Sequence, residues 1–258
     1  MKLFRLLPGA RVAVLAVLMA GVLTAPLEAR TRLKPGFNMI SLDQEVQLGR
    51  EAAADMDRKL PLERNSRLNA RVSEIGRQLV RYAPGPRYPY SFKVIRDKNI
   101  NAFALPGGPI YVHTGVIEAA ENDHQLASVL AHEIAHVALR HGTHNASKAM
   151  VAQAPLAILG GLIGSGSVMG QLAQMGLAFG ANSIFLKYSR DAERQADILG
   201  TQMMYDAGYN PEEMVRFFEK LERSHRGRSL EFLSSHPNPG NRSQIVRREI
   251  AELGPRRR

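Results

Sequence analysis

The chain has 258 residues, 45% of them hydrophobic, and a formal net charge of +10. That is enough for one large domain or two small ones with a real core, and it sets intrinsic disorder aside. The absence of cysteine removes disulfides, thiolate metal sites and a lipid-bearing N-terminal cysteine, so any zinc must be held by histidine and carboxylate, the donors typical of catalytic sites.

In chain order, Lys2, Arg5 and Arg11 precede or flank an uncharged apolar run, Val12 to Leu23, and Ala25 to Ala29 offer small residues for cleavage. Residues 1–29 therefore read as a secretory signal peptide, and the expected location is the periplasm. The apolar run is shorter than the roughly 17–25 residues of a spanning helix; an uncleaved anchor in the inner membrane is the alternative. A mitochondrial presequence would be amphipathic rather than continuously apolar. Export directs the basic charge toward anionic lipid rather than nucleic acid, and no aromatic-interleaved basic patch is present.

Residues 30–40, with Pro35 and Gly36, read as a linker, and 41–250 as the folded domain. From Ser41 to Leu60 the pattern is helical, with Ser41 or Asp43 as cap and Val46, Leu48, Ala52, Ala53 and Met56 as the apolar stripe. Leu68 to Tyr82 is a second amphipathic helix, closed by Pro84-Gly85-Pro86. Tyr90 to Ile95, Asn101 to Leu105 and Ile110 to His113 read as strands, the last two forming a hairpin or two short strands around Pro106-Gly107-Gly108-Pro109. An edge strand at Asn101, Ala102, Phe103 and Ala104 is expected to hold substrate as an added strand, with a plain core hairpin as the alternative.

The next helix carries the most informative residues. Asn122 or Asp123 can cap it, and Leu126, Val129, Leu130, Ile134, Val137 and Ala138 recur at helical spacing. Arg140 and His141 suit its last turn, and Gly142 is placed to end it. Within it stands His132-Glu133-Ile134-Ala135-His136. Positions four apart share a helix face, so the two imidazoles can hold one zinc ion. Glu133 is rotated about 100° away and can serve a water at that metal as general base. A third-ligand histidine six residues after His136 would mark one large class of such enzymes. Gly142 occupies that place, and His141 reads as a helix-end residue.

Residues 149–186 carry no charge and are rich in Ala, Leu, Ile, Met and Gly. Closely packed helices near the site cleft are the favoured reading, over a mobile flap, a transmembrane hairpin or an exposed membrane- or client-binding surface. A helical pattern resumes from Asn182 to Tyr205, and Asn210-Pro211-Glu212-Glu213 starts another helix. No repeat of 30–50 residues is present, and 251–258 reads as a basic tail, solvated or touching a membrane surface.

A catalytic zinc needs a third protein ligand. Ser189 to Asp197 reads S-R-D-A-E-R-Q-A-D, and Glu193 and Asp197 point the same way on a helix, so one can ligate while the other supports a ligating histidine. An ordinary solvated charged face is the alternative.

Together with Ser235-His236-Pro237, Arg242 and Asn101 to Gly108, these motifs resemble the Ste24/CAAX-protease-like zinc metallopeptidase family. Within it the chain is most similar to soluble periplasmic peptidases of the BepA and YcaL types. The resemblance covers about residues 41–250 and implies an α+β, mainly helical, gluzincin-type domain with a small sheet and an HExxH helix. It implies one Zn2+ held by His132, His136 and Glu193, Glu133 as general base, and Asp197 behind a ligating histidine. His236 would be an inhibitory fourth ligand or a transition-state donor, and Arg242 part of the same wall, with His236 or Arg242 stabilising the oxyanion beside the zinc. Gln125, where an acidic residue is usual, and Ser235, in place of a frequent threonine, depart from the pattern without touching a ligand.

The implied activity is a zinc metalloendopeptidase acting on misfolded or unassembled envelope proteins; a chaperone-like binder of unfolded outer-membrane proteins is the alternative. Its partners would be unfolded or misfolded protein substrates. Outer-membrane assembly machinery and a peripheral membrane contact are further candidates, and nucleic acid is not expected.

Overall fold

The computed structural model describes residues 30–159, 188–224, 231–237 and 240–255. Most of the stretch 149–186, and with it the reading of that segment, lies outside the described residues, as do the signal-like residues 1–29. The fold is mainly helical with one small sheet.

Two helices open it: α1, Leu42–Lys59, and α2, Ser66–Val80. Ser41 and Gln44 form a reciprocal capping box at the start of α1, and Asn65 accepts from the backbone of Arg67 and Leu68 to start α2. The strands are β1, Ser91–Ile95, β2, Ala102–Ala104, and β3, Pro109–His113, in the order β1-β3-β2. β2 and β3 form the expected hairpin, and β1 joins β3 in parallel. Residues 61–63 partly cover the outer side of β1, where Leu62 bridges to Ile95 and Glu63 N–H donates to the Val94 carbonyl.

A short helix, α3, Thr114–Ala119, leads into α4, Asp123–Ala138. Every residue of α4 from Gln125 onward is buried, so it is the central element. It packs on α2, β2, α6 (Arg190–Asp206) and α7 (Glu212–Ser224). Leu126, Val129, Leu130 and Ile134 belong to one apolar cluster with Val72, Ile75 and Leu79 of α2 and Leu199 and Met203 of α6. A Leu-sized side chain buried this way contributes about 1.5–3 kcal/mol, which fixes the helix that carries the motif.

Gly142 does not end α4. The helix stops at Leu139 and Arg140, where Arg140 takes a left-handed φ of 57°, and Gly142 lies inside the following helix, α5, His141–Leu159. Glu45 of α1 holds Arg140 there: the Arg140 Nε donates to Glu45 Oε2 at 2.6 Å, and Nη2 donates to the Ile40 carbonyl at 2.6 Å. Two further helices, α8 (Glu231–Ser235) and α9 (Arg242–Leu253), complete the body, and α9 extends into the stretch read as a tail.

Residues 30–40 lack helix or strand but are tied down. Arg30 makes two hydrogen bonds to Asp206, Thr31 donates to Glu249, and the Met39 N–H donates to Ser147. No helix among the described residues is long and apolar enough to cross a membrane.

Candidate active site

His132 and His136 lie one turn apart on α4, and their Nε2 atoms approach to 3.0 Å. α6, capped by Ser189, crosses α4 and brings Glu193 and Asp197 against them. The crossing is close because α6 presents Gly200: a Cβ there would sit 3.3 Å from the backbone of Ala131 and His132. Glu193 Oε2 is 3.2 Å from His132 Nε2, and its Oε1 is 3.4 Å from His136 Nε2. Asp197 Oδ1 lies 3.0 Å from His132 Nδ1, the other side of the ring. After α8, His236 places Nδ1 3.2 Å from His132 Nε2 and 3.1 Å from Glu193 Oε1.

These separations test whether a metal ion fits. Donor atoms held about 2.1 Å from one ion in a tetrahedron lie about 3.4 Å from each other. His132, His136, Glu193 and His236 are all buried and offer ligand atoms within 4.8 Å of one another. Their nitrogen and oxygen donors, without thiolate, suit a divalent ion such as zinc. Glu133 gives a second sign. Both its oxygens are buried without a hydrogen-bond partner among the described residues, and His236 Nε2 lies 3.4 Å from Oε1. A buried carboxylate left so is costly, and a water at the metal would complete it. The residues fit the group.

The local charges follow from this crowding. Burial pushes the His132 imidazole down, but Glu193 and Asp197 outweigh it and lift it to about 9. Burial raises the Glu133 carboxyl above the usual glutamate range and takes His136 well below the usual histidine value. Glu193 is held well below its usual range, because His236 and His132 overcome its burial.

Arg242, the first residue of α9, closes the arrangement from behind. Its Nε donates to Asp197 Oδ2 at 2.7 Å, and Nη2 donates to Asp197 Oδ1 at 2.8 Å and Glu193 Oε2 at 3.0 Å. Burial works against its charge, and the two carboxylates overcome that. Its Cζ lies 4.0 Å over the Phe218 ring. Its bonded nitrogens face the carboxylates of Asp197 and Glu193, and Nη2 also lies 3.4 Å from both ring nitrogens of His132.

β2 lies at the sheet edge and packs on α4. The His113 N–H donates to the Asn101 carbonyl and the Leu105 N–H to the Pro109 carbonyl. By antiparallel alternation the inward-bonding residues are 101, 103 and 105, so the backbone groups of Ala102 and Ala104 face outward. Asn101, Ala102 and Ala104 are buried, and the half-buried Phe103 ring stacks on Tyr111 at 5.2 Å.

Two residues of the site, Tyr188 and Phe232, were not named from sequence, and a third, His141, read as the end of α4, instead opens α5. The Tyr188 ring stacks on His136 at 3.7 Å, Phe232 stacks on His236 at 4.7 Å, and His141 Nδ1 lies 2.9 Å from His136 Nδ1. Tyr188 had one available signal, its place directly before the cap of the Glu193 helix. Gln125 explains one departure from the expected pattern. Its amide donates to Glu213 at 2.9 Å and to Glu121 at 3.3 Å, where a carboxylate would meet two others.

The described geometry agrees with what the chain is similar to. The beta-barrel assembly-enhancing protease of Escherichia coli (strain K12) is 31% identical over 226 residues, which cover 84% of this chain and 46% of that protein. The chain thus spans about half the length of the relatives bearing that name. Metalloprotease LoiP of the same strain is 30% identical over 223 residues, 84% of this chain and 86% of LoiP. Mitochondrial metalloendopeptidase OMA1 of Schizosaccharomyces pombe is 30% identical over 234 residues, 88% of this chain and 66% of that protein. The model of peptidase family M48 matches residues 66–250, a span that holds the helix of His132 and His136, the helix of Glu193 and the start of α9. The chain belongs to peptidase family M48, a family of metallopeptidases.

Proposed function

We propose that this chain is an exported zinc-dependent endopeptidase that hydrolyses peptide bonds in misfolded or unassembled envelope proteins. The observation that carries the reading is the convergence of His132, His136 and Glu193 beside a buried carboxylate, Glu133, whose oxygens have no hydrogen-bond partner among the described residues. Envelope substrates are supported by the signal-like residues 1–29 and by the name of the beta-barrel assembly-enhancing relatives.

In this reading His132 Nε2, His136 Nε2 and the Glu193 carboxylate hold the ion. Bound there, zinc supplies a Lewis acid that lowers the pKa of water toward about 7 and polarises the scissile carbonyl. Glu133 takes the proton of the attacking water and passes it to the leaving nitrogen; its burial, which raises its proton affinity, suits both halves of that task. Asp197 accepts from His132 Nδ1–H and fixes the tautomer that leaves Nε2 free to ligate. Arg242 balances the charge of Asp197 and Glu193, so we assign it to positioning those carboxylates. His236 sits between the ligand atoms and Glu133, where it either fills a fourth position at rest or donates to the developing oxyanion. The outward backbone groups of Ala102 and Ala104 are buried at rest, 0% and 3% exposed, so they receive the substrate as an added strand only once that cover is displaced.

The test compares wild type with Glu133→Gln for zinc content and for cleavage of a denatured outer-membrane protein. Both proteins are expected to carry one zinc per chain, and the variant to lose roughly 10²–10⁴-fold in cleavage rate, the usual contribution of a general base. Undiminished cleavage by the variant would remove Glu133 from the base role, and a zinc-free wild type would remove the metal.

A further inference from the structure

We infer that His141 is a positioning residue for metal binding: it fixes the tautomer and ring direction of His136 through an Nδ1-to-Nδ1 hydrogen bond, and is itself oriented by Gln195 and Asp191. The inference rests on the reading of His136 as a metal ligand.

Proton accounting on the ring leads to it. His136 turns Nε2 toward His132 and Glu193, so a metal held there takes the Nε2 lone pair. A neutral imidazole ligating through Nε2 carries its proton on Nδ1. The group facing that proton is His141 Nδ1 at 2.9 Å, which must accept and therefore carries its own proton on Nε2. His141 Nε2 lies 3.3 Å from Gln195 Oε1, an acceptor, and the Gln195 amide donates to Asp191 Oδ2 at 2.7 Å. Every link has one donor and one acceptor in the same direction, and the chain ends at an exposed carboxylate. His132 has an equivalent support in Asp197, so each ligating histidine has a partner on its outer nitrogen. The two supports differ: one is a carboxylate, the other a neutral ring.

The backbone shows what holds His141 in place. It is the residue after Arg140, whose left-handed φ of 57° turns the chain sharply between α4 and α5. A non-glycine residue in that region is strained and persists where surrounding contacts impose it. Here the contacts are buried: Glu45 accepts from Arg140, from the Tyr88 hydroxyl at 2.8 Å and from Thr143 Oγ1 at 3.1 Å. The Tyr188 ring stacks on His136 at 3.7 Å between centroids and meets His141 edge-on at 6.2 Å. His141 is buried and contributes no atom to the cluster of ligand atoms.

The experiment measures zinc affinity by competition with a chromogenic chelator, for wild type, His141→Leu, His141→Asn and Gln195→Leu, with circular dichroism melts as the control for folding. An asparagine oxygen can take the place of the imidazole Nδ1 acceptor; leucine cannot. His141→Leu is expected to weaken zinc about 10–100-fold, the usual effect of removing such a partner. His141→Asn is expected to recover to within a few-fold of wild type, a rescue that a purely packing role would not give. Gln195→Leu, which leaves His141 in place, covers the case of a leucine variant that fails to fold, with a several-fold loss expected. Wild-type affinity in folded His141→Leu, or equal losses in the leucine and asparagine variants, overturns the assignment. Failure of wild type to bind zinc overturns instead the reading of the site on which it rests.

Discussion

His236 touches two parts of the site at once, with Nδ1 among the ligand atoms and Nε2 3.4 Å from Glu133. A side chain so placed at rest stands where substrate and water have to come. If it fills the fourth position, His236→Ala is expected to keep its zinc and to raise the basal rate of cleavage of an unfolded protein. Steady-state proteolysis with zinc analysis checks this; an unchanged rate with unchanged zinc affinity counts against any contact with the metal. At this scale the sequence was legible wherever chemistry shows itself as spacing. His132 and His136 share a face because they are four apart, and Glu193 and Asp197 for the same reason. His141 was not legible. Its partner depends on a left-handed Arg140, and an arginine in sequence does not announce a positive φ.

Two helix starts could be read because they carry side-chain signatures: Ser41 and Asn122 cap the helices expected of them, whereas α2 begins at Ser66 on an Asn65 cap rather than at Leu68, and α6 begins at Arg190 on a Ser189 cap rather than at Asn182. The end of α4 could not, because it is set by an ion pair from Glu45, 95 positions earlier in the chain. The parallel placement of β1 beside β3 was hidden for a related reason: strand periodicity reports which face is buried but not which neighbour is paired. The crossing of α4 and α6 is where elements meet chemistry, and Gly200 sets its distance. A Cβ there would lie 3.2 Å from the Met214 methyl and 3.3 Å from the backbone of His132. Gly200→Val adds branched carbons to that gap and is expected to force α6 outward. That should cost about 1–3 kcal/mol of stability and weaken zinc binding as Glu193 and Asp197 retreat from the histidines. Chemical denaturation and the same chelator competition check the two effects. An unaffected zinc affinity in a destabilised variant would mean that the helix spacing does not set the ligand geometry.

The whole molecule depends on joining the central helix to the elements packed around it, and one such joint is expected to weaken as pH falls. Glu213, on α7, accepts from Asn122 at 3.2 Å, from Gln125 at 2.9 Å and from Arg216 at 2.6 Å. Asn122 is the cap of α4, so this carboxylate fastens α7 to the start of the helix that carries the motif. Burial alone would raise its pKa, but the bonds from Gln125 and Asn122 and the charge of Arg216 hold it below the usual glutamate value. A carboxylate depressed in the folded state adds stability above its unfolded pKa of about 4.3, and that stability is lost as pH falls through the folded value. Glu213→Gln removes the charge but nearly keeps the shape. The metal-free variant is expected to be less stable than metal-free wild type by about 1–3 kcal/mol at neutral pH, the scale of hydrogen bonds to a charged group. The gap should narrow steadily below about pH 4.3. Urea denaturation of both proteins at a series of pH values tests the sign directly. A gap that stays constant from neutral to acid pH would mean that the Glu213 charge plays no part in fastening α7 to α4.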